Sequence, residues 1–231
     1  MVSLVPSATE TLVAWGVTPI GVTRWCEHPE IAQIGGTKDP DIDTIVGMRP
    51  SLVVMDEEEN RREDAASLLS AGLTVHALAV RSVADVAAQM GSLASRVGAE
   101  ARWEAPSVPK SSTAPRRVFV PIWRQAVRST SPRSFTTLSD DTYGSTLLGA
   151  VGLQNVYSGA AERYPTTTLD EAHSLQPDVV LAPSEPYKFT RRHLAELQTV
   201  APVVFVDGKD LFWWGVRTTG AIERLSRIVT G

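Results

Sequence analysis

The chain has 231 residues, 43% hydrophobic and 21% charged, a composition that excludes disordered and fibrous architectures. Its 22 basic and 26 acidic residues leave a net charge of −4, which gives no electrostatic reason to expect nucleic acid or an anionic membrane as partner. A single cysteine, Cys26, rules out an internal disulfide and a Cys-rich zinc site, and four histidines argue against a multi-histidine metal cluster.

In chain order, residues 2–5 form a strand-like run that begins at once. No charged region, apolar region and cleavage site precede it, and no apolar run approaches the roughly 20 residues of a membrane span. The expectation is a cytoplasmic chain as written, or an extracytoplasmic one if this is a mature fragment of an importer component. Ser7, with Glu10 three residues on, reads as a capping box opening a helix, with Leu12, Val13 and Trp15 on its apolar face and Gly16 at its end. Residues 20–23 read as a second strand, 41–47 as a short helix stopped by Pro50, 52–55 as a third strand, 61–71 as a helix and 73–80 as a fourth strand. Strands alternating with helices point to a parallel sheet covered on both faces. Residues 82–104 carry Val83, Val86, Ala87, Met90, Leu93, Ala94 and Val97 at three- and four-residue spacing. That pattern predicts a helix about 33 Å long. Residues 105–115, with three prolines, read as loop.

The order then recurs. Residues 119–121 echo the strand exit at 4–6, and residues 146–148 echo the helix at 11–13. Residues 169–185 repeat residues 42–58 at a constant offset of 127, matching Asp43 with Asp170, Pro50 with Pro177, Val53 with Val180 and Glu58 with Glu185. The expected fold is α/β: two Rossmann-like lobes with parallel sheets, residues 1–81 and 117–231, joined by one long backbone helix and a Pro/Ser-rich loop at 82–116.

Ligands of open parallel sheets sit beyond the carboxyl ends of the strands. The loops there hold four of the six tryptophans, Trp25, Trp123, Trp213 and Trp214. An indole on a loop needs a surface to cover it. Two facing lobes would make an aromatic-walled cleft for a large, flat, partly apolar guest; the competing reading has each tryptophan packing its loop onto its own lobe.

The run Val2–Glu10 (VSLVPSATE), Thr23–Pro29 (TRWCEHP), Gly35–Lys38 (GGTK), Glu57–Arg61 (EEENR), Val120–Arg124 (VPIWR) and Pro183–Tyr187 (PSEPY) resembles the helical-backbone solute-binding proteins of ABC importers. Within them it is most similar to the cobalamin-binding branch, whose relatives bind haem or ferric siderophores. The resemblance implies a non-catalytic protein, a corrinoid such as cobalamin held between two lobes, no catalytic cofactor, and a permease dimer as partner to a monomer. Carried over by motif, the ligand contacts would be Ser7, Trp25, His28, Lys38, Trp123, Tyr187, Phe212, Trp213 and Trp214. Arg124 joins them from the same loop as Trp123. Glu58 and Glu185, equivalent in the two halves, would both face the ligand. Permease docking would use one surface acid per lobe, Glu63 or Asp64 in the first and Glu196 in the second. The segment 125–141, carrying Arg128 and Arg133, is more basic than the resemblance implies and would greet carboxylate or phosphate groups, or be solvated loop charge.

An enzyme on the same architecture is the alternative, with Cys26, Glu27 and His28 as its chemistry. Cys26 and His28 point the same way on an extended segment, but no Asn or Asp is placed to orient the imidazole. His28 as an axial metal ligand is a further alternative. Glu57, Glu58 and Glu59 would either hold a hard cation or sit in the first turn of a helix. The run Gly35–Lys38 (GGTK) lacks the spacing of a phosphate loop.

Overall fold

The computed structural model describes residues 1–100, 115–125 and 133–230. The chain divides into two compact units, the first taking Met1–Val80, Ala84–Ala105 and Trp214–Arg217, the second Arg81–Val83, Pro106–Trp213 and Thr218–Gly231.

The first unit runs β1 (Val2–Ser3), α1 (Pro6–Ala14), β2 (Gly21–Val22), β3 (Ala32–Gln33), α2 (Ile42–Met48), β4 (Val53–Asp56), α3 (Arg62–Ser70), β5 (Val75–Leu78) and α4 (Val83–Val97). Its five strands form a parallel sheet in the order β3-β2-β1-β4-β5. Residues 53–56 of β4 are buried without alternation, as expected for a central strand covered on both faces. Val2, Leu4, Ile34, Ile45, Val53, Met55 and Leu68 make the core of this unit. Each such buried side chain contributes about 1.5–3 kcal/mol.

Three expectations are corrected here. Helix α1 is not opened by a Ser7 capping box: its N-cap is Val5, no side chain caps it, and Pro6 occupies the first turn. Proline suits that position because its missing N–H is one the helix leaves unpaired anyway. The glutamate run lies in a turn ahead of α3, not in its first helical turn. Helix α4 is shorter than the expected 82–104: it spans 15 residues, about 22 Å, and closes at Gly98, whose φ of +68° a side chain would strain. Residues 101–104, and the loop expected at 105–115 up to residue 114, lie outside the described residues. The apolar stripe is as expected, with Val86, Met90, Leu93 and Ala94 buried.

The second unit runs β6 (Arg116–Phe119), β7 (Trp123–Arg124), β8 (Ser134–Thr136), α5 (Tyr143–Ala150), β9 (Leu153–Asn155), β10 (Thr166–Thr168), α6 (Leu169–Ser174), β11 (Val179–Pro183), a 3₁₀ turn (Arg191–His193), α7 (Leu194–Leu197), β12 (Val203–Val206), α8 (Gly208–Phe212) and α9 (Thr218–Thr230). Strands β9-β6-β11-β12 form a parallel sheet, and β7-β8-β10 a small antiparallel one. The parallel order repeats that of β2-β1-β4-β5 in the first unit. The 127-residue offset holds at the helix caps too. Asp41 accepts from Thr44 N at 3.0 Å, and Thr168 accepts from Glu171 N at 3.2 Å. Among the described residues, the two non-glycine residues with left-handed backbone, Arg49 (φ 47°) and Gln176 (φ 52°), are also 127 apart, each ending a helix just before a proline. The antiparallel sheet was not foreseen: Ser134–Thr136, read as basic loop, is β8.

Candidate functional site

In the first unit, the residues beyond β1, β3 and β4 are tied by one buried amide. Asn60 Oδ1 accepts from Asp56 N (2.8 Å), while Asn60 Nδ2 donates to Leu4 O (3.2 Å) and Thr37 O (2.9 Å). Lys38 Nζ donates to the Glu58 carbonyl at 2.6 Å, adding a second tie between the β3 and β4 exits. Asp56 Oδ1 accepts from Glu58 N (2.8 Å) and Glu59 N (3.2 Å), which folds the glutamate turn around it, whereas the buried Oδ2 has no partner. Burial, against those two amides and with Glu58 and Glu57 nearby, pushes the Asp56 carboxyl up to about 6. Ser7 Oγ is likewise buried and unpartnered.

The β2 exit separates the residues of the enzyme alternative. Cys26 is buried, with its Sγ 3.4 Å from both Thr9 Oγ1 and Thr23 Oγ1. His28 instead meets Glu30 through Nδ1 at 3.0 Å. Thiol and imidazole thus have different partners, and the nucleophile–base pairing expected of an enzyme is not formed. Trp25, which precedes them in the chain, is 60% exposed. Its ring is met by the Arg24 guanidinium at 5.6 Å, and Arg24 pairs with Asp39.

In the second unit Trp123 is 47% exposed and meets Tyr187 edge-on at 5.8 Å. Tyr187 is half-buried, packed on Phe189 at 4.8 Å, with its Oη 3.3 Å from His193 Nε2. Beside Trp123, Arg124 grips Glu196 through two bonds (Nε to Oε2 2.9 Å, Nη2 to Oε1 3.4 Å), and Arg133 Nη1 adds a third to Oε1 at 2.7 Å. Two guanidinium groups on one carboxylate leave this patch net positive. Arg128 lies outside the described residues. Glu185 is half-buried and backs directly onto Gly208.

Trp213 and Trp214 are buried, 9% and 3% exposed, with Lys209 Nζ 4.8 Å over the Trp213 ring. The segment after them is fastened to α1: Val216 N donates to Thr11 Oγ1 (3.3 Å), and Arg217 holds Glu10 at 3.1 and 2.7 Å. These two indoles are buried, whereas Trp25 and Trp123 are exposed. Phe212, ending α8, is half-buried. Glu63 is exposed in the first turn of α3, and its neighbour Asp64 is buried and paired with Arg61 at 3.1 Å. Among the described residues no group of three or more His, Cys, Asp or Glu is placed to hold a metal ion. No helix there is long and apolar enough to cross a membrane.

Residues 1–106 match the periplasmic binding protein family. The vitamin B12-binding protein of Salmonella choleraesuis is 29% identical over 99 residues, 40% of this chain. That match spans 37% of the relative's length. Over the whole chain, the fold is that of solved periplasmic binding proteins. It overlays the vitamin B12 binding protein BtuF of Vibrio cholerae with a TM-score of 0.75 at 18% identity, covering 99% of this chain and 95% of that one. It overlays the haem binding protein HutB of Vibrio cholerae with a TM-score of 0.76 at 16% identity, covering 100% and 98%. The periplasmic haem-binding protein RhuT of Roseiflexus aligns comparably, with a TM-score of 0.75 at 18% identity, covering 98% and 95%. The resemblance and the α/β fold class read from the sequence agree with these findings. Ser7, Trp25, His28, Lys38, Glu58 and Glu63 fall within the matched range, and the candidates of the second unit lie outside it.

Sequence reasoning passed over Asn60, Asp56 and His193. The signal for the first two was a strand ending in Asp, followed by a turn ending in Asn. Each is a residue whose short side chain bonds nearby backbone.

Proposed function

We propose that this chain is a non-catalytic binding protein that holds one tetrapyrrole, a corrinoid such as cobalamin, by the strand-exit loops of both units and serves ABC-type uptake outside the cytoplasmic membrane. The observation that carries this reading is the exposure of Trp25 and Trp123, one per unit, Trp25 on the turn that follows β2 and Trp123 on the short strand β7 that follows β6. An uncovered indole forfeits the burial that its size would otherwise give, and such rings suit a flat, partly apolar guest. The vitamin B12-binding relatives and the fold likeness to BtuF support the corrinoid. In this reading His28, Lys38, Glu58, Glu185, Tyr187 and Phe212 are polar and aromatic contacts around the two rings, and Ser7 lines the β1 exit. Exposed Glu63 is the permease-docking acid of the first unit. Glu196 would fill that role in the second once its arginine partners were displaced.

Haem is the second reading, favoured by Arg124 and Arg133 beside Trp123, since guanidinium groups pair with carboxylates of the kind haem carries and corrinoid amides lack. Calorimetric titration with cyanocobalamin and with haemin separates the two. A saturable, one-to-one isotherm tighter for cyanocobalamin supports the first reading, one tighter for haemin the second. Heat of dilution alone with both ligands would reject the assignment.

A further inference from the structure

Three groups address the buried His193, and a neutral imidazole cannot satisfy all of them. It sits at the third position of the 3₁₀ turn that follows Thr190, where the side chain reaches back to the turn's first amide: Thr190 N donates to His193 Nδ1 at 3.0 Å. That seat is commonly held by Glu or Gln, whose oxygen accepts. On the other side of the ring, Nε2 lies 3.3 Å from Tyr187 Oη and 3.3 Å from Arg192 Nε. A backbone N–H can only donate, so Nδ1 must offer its lone pair, and the ring's one hydrogen falls on Nε2. Arg192 is exposed and can turn its N–H to water, so its contact is the one that yields. The phenol oxygen, able to accept or donate, is left to accept.

We propose that His193 is a positioning residue for ligand specificity: its Nε2–H donates to Tyr187 Oη, so that the phenol proton is given to an acceptor oxygen, carboxylate or amide carbonyl, on the rim of the ligand. This rests on the reading of Tyr187 as a ligand contact. Protonating His193 would set a hydrogen on Nδ1 against the Thr190 N–H. Burial first, then Arg192 and Arg124, hold the imidazole below its ordinary value, with Glu196 and the Thr190 backbone opposing. The neutral ring that the geometry requires is thereby the favoured form.

The direct test is long-range ¹H–¹⁵N NMR of the histidine rings in the ligand-free full chain. The expected result is an acceptor-type Nδ1 and a hydrogen-bearing Nε2 for His193; the reverse assignment overturns the proposal. The second test compares H193Q with H193E by titration with cyanocobalamin and haemin. Both replacements keep an oxygen for the Thr190 N–H, but Gln can still donate to Tyr187, whereas Glu would take the phenol proton itself. H193Q is expected to bind within a few-fold of the unaltered chain, and H193E about tenfold more weakly, the loss of one good hydrogen bond. Equal affinity of H193E and the unaltered chain would sink the positioning role. If the unaltered chain binds neither ligand, the functional reading fails while the NMR assignment still decides the tautomer.

Discussion

Replacing Asp56 with Asn should make the protein more resistant to neutral pH than to acid, relative to the unaltered chain. Asp56 is 4% exposed, and its Oδ2 has no partner. Burial lifts its pKa from 3.8 to about 6. At 1.36 kcal/mol per pH unit, the ionised form therefore costs the fold roughly 3 kcal/mol at pH 7. The folded chain keeps a proton that the unfolded chain has lost between pH 3.8 and about 6. Stability is therefore intact below that window and falls as pH rises through it. D56N retains an oxygen for the Glu58 and Glu59 amides and carries no charge. Whatever its unpartnered NH₂ costs is the same at every pH. Urea unfolding of both proteins, at one pH well below the window and one above it, isolates the charge. Comparison at matched pH cancels the other carboxylates, such as Asp41 and Glu171, whose caps lower their own values. The stability difference, variant minus unaltered, should shift by roughly 3 kcal/mol in favour of D56N between acid and neutral pH. A shift below about 1 kcal/mol would refute the claim that Asp56 is buried at an energetic cost.

Other perturbations report on neighbouring features. N60A should cost about 2–4 kcal/mol in urea unfolding, because it strands a buried amide and the Leu4 and Thr37 carbonyls; N60D should cost no less, since it sets a carboxylate against those two carbonyls. G208A should destabilise by at least about 2 kcal/mol, because a Cβ there would overlap the Glu185 carbonyl and come within 2.6 Å of its amide nitrogen, and backbone has little room to give. An unchanged melting temperature would show that the β11 and β12 exits are looser than their geometry implies. W25A and W123A should each weaken cyanocobalamin or haemin binding by at least about 1 kcal/mol, while W213A should act mainly on stability. If W213A alone abolishes binding in a well-folded protein, the roles of these indoles are reversed.

The parallel sheets were legible because their central strands are continuous apolar runs and because the 127-residue repeat places a proline after the second helix of each unit, at Pro50 and Pro177. The antiparallel sheet was hidden. Its strands are two or three residues long, and Thr166–Thr168 offers no apolar alternation to read. The end of α4 was misread because its apolar spacing fades gradually, while the local signal that stops the helix, Gly98, is a single residue. In the site, residue type revealed loop aromatics but not their burial. Trp25 and Trp123 are exposed and Trp213 and Trp214 are not, a distinction that residue type does not carry. For Cys26 and His28, spacing suggested partnership, whereas the threonine hydroxyls around the thiol and Glu30 beside the imidazole divide them.

The measurement that bears most directly on the account is tryptophan emission during titration with cyanocobalamin and haemin, run on the unaltered chain, W25F and W123F. The expected result is quenching that saturates at one ligand per chain, with part of the amplitude missing in each variant, as the proposed function requires if the ligand contacts both rings. Emission unmoved by both ligands, or full amplitude surviving in both variants, would contradict it.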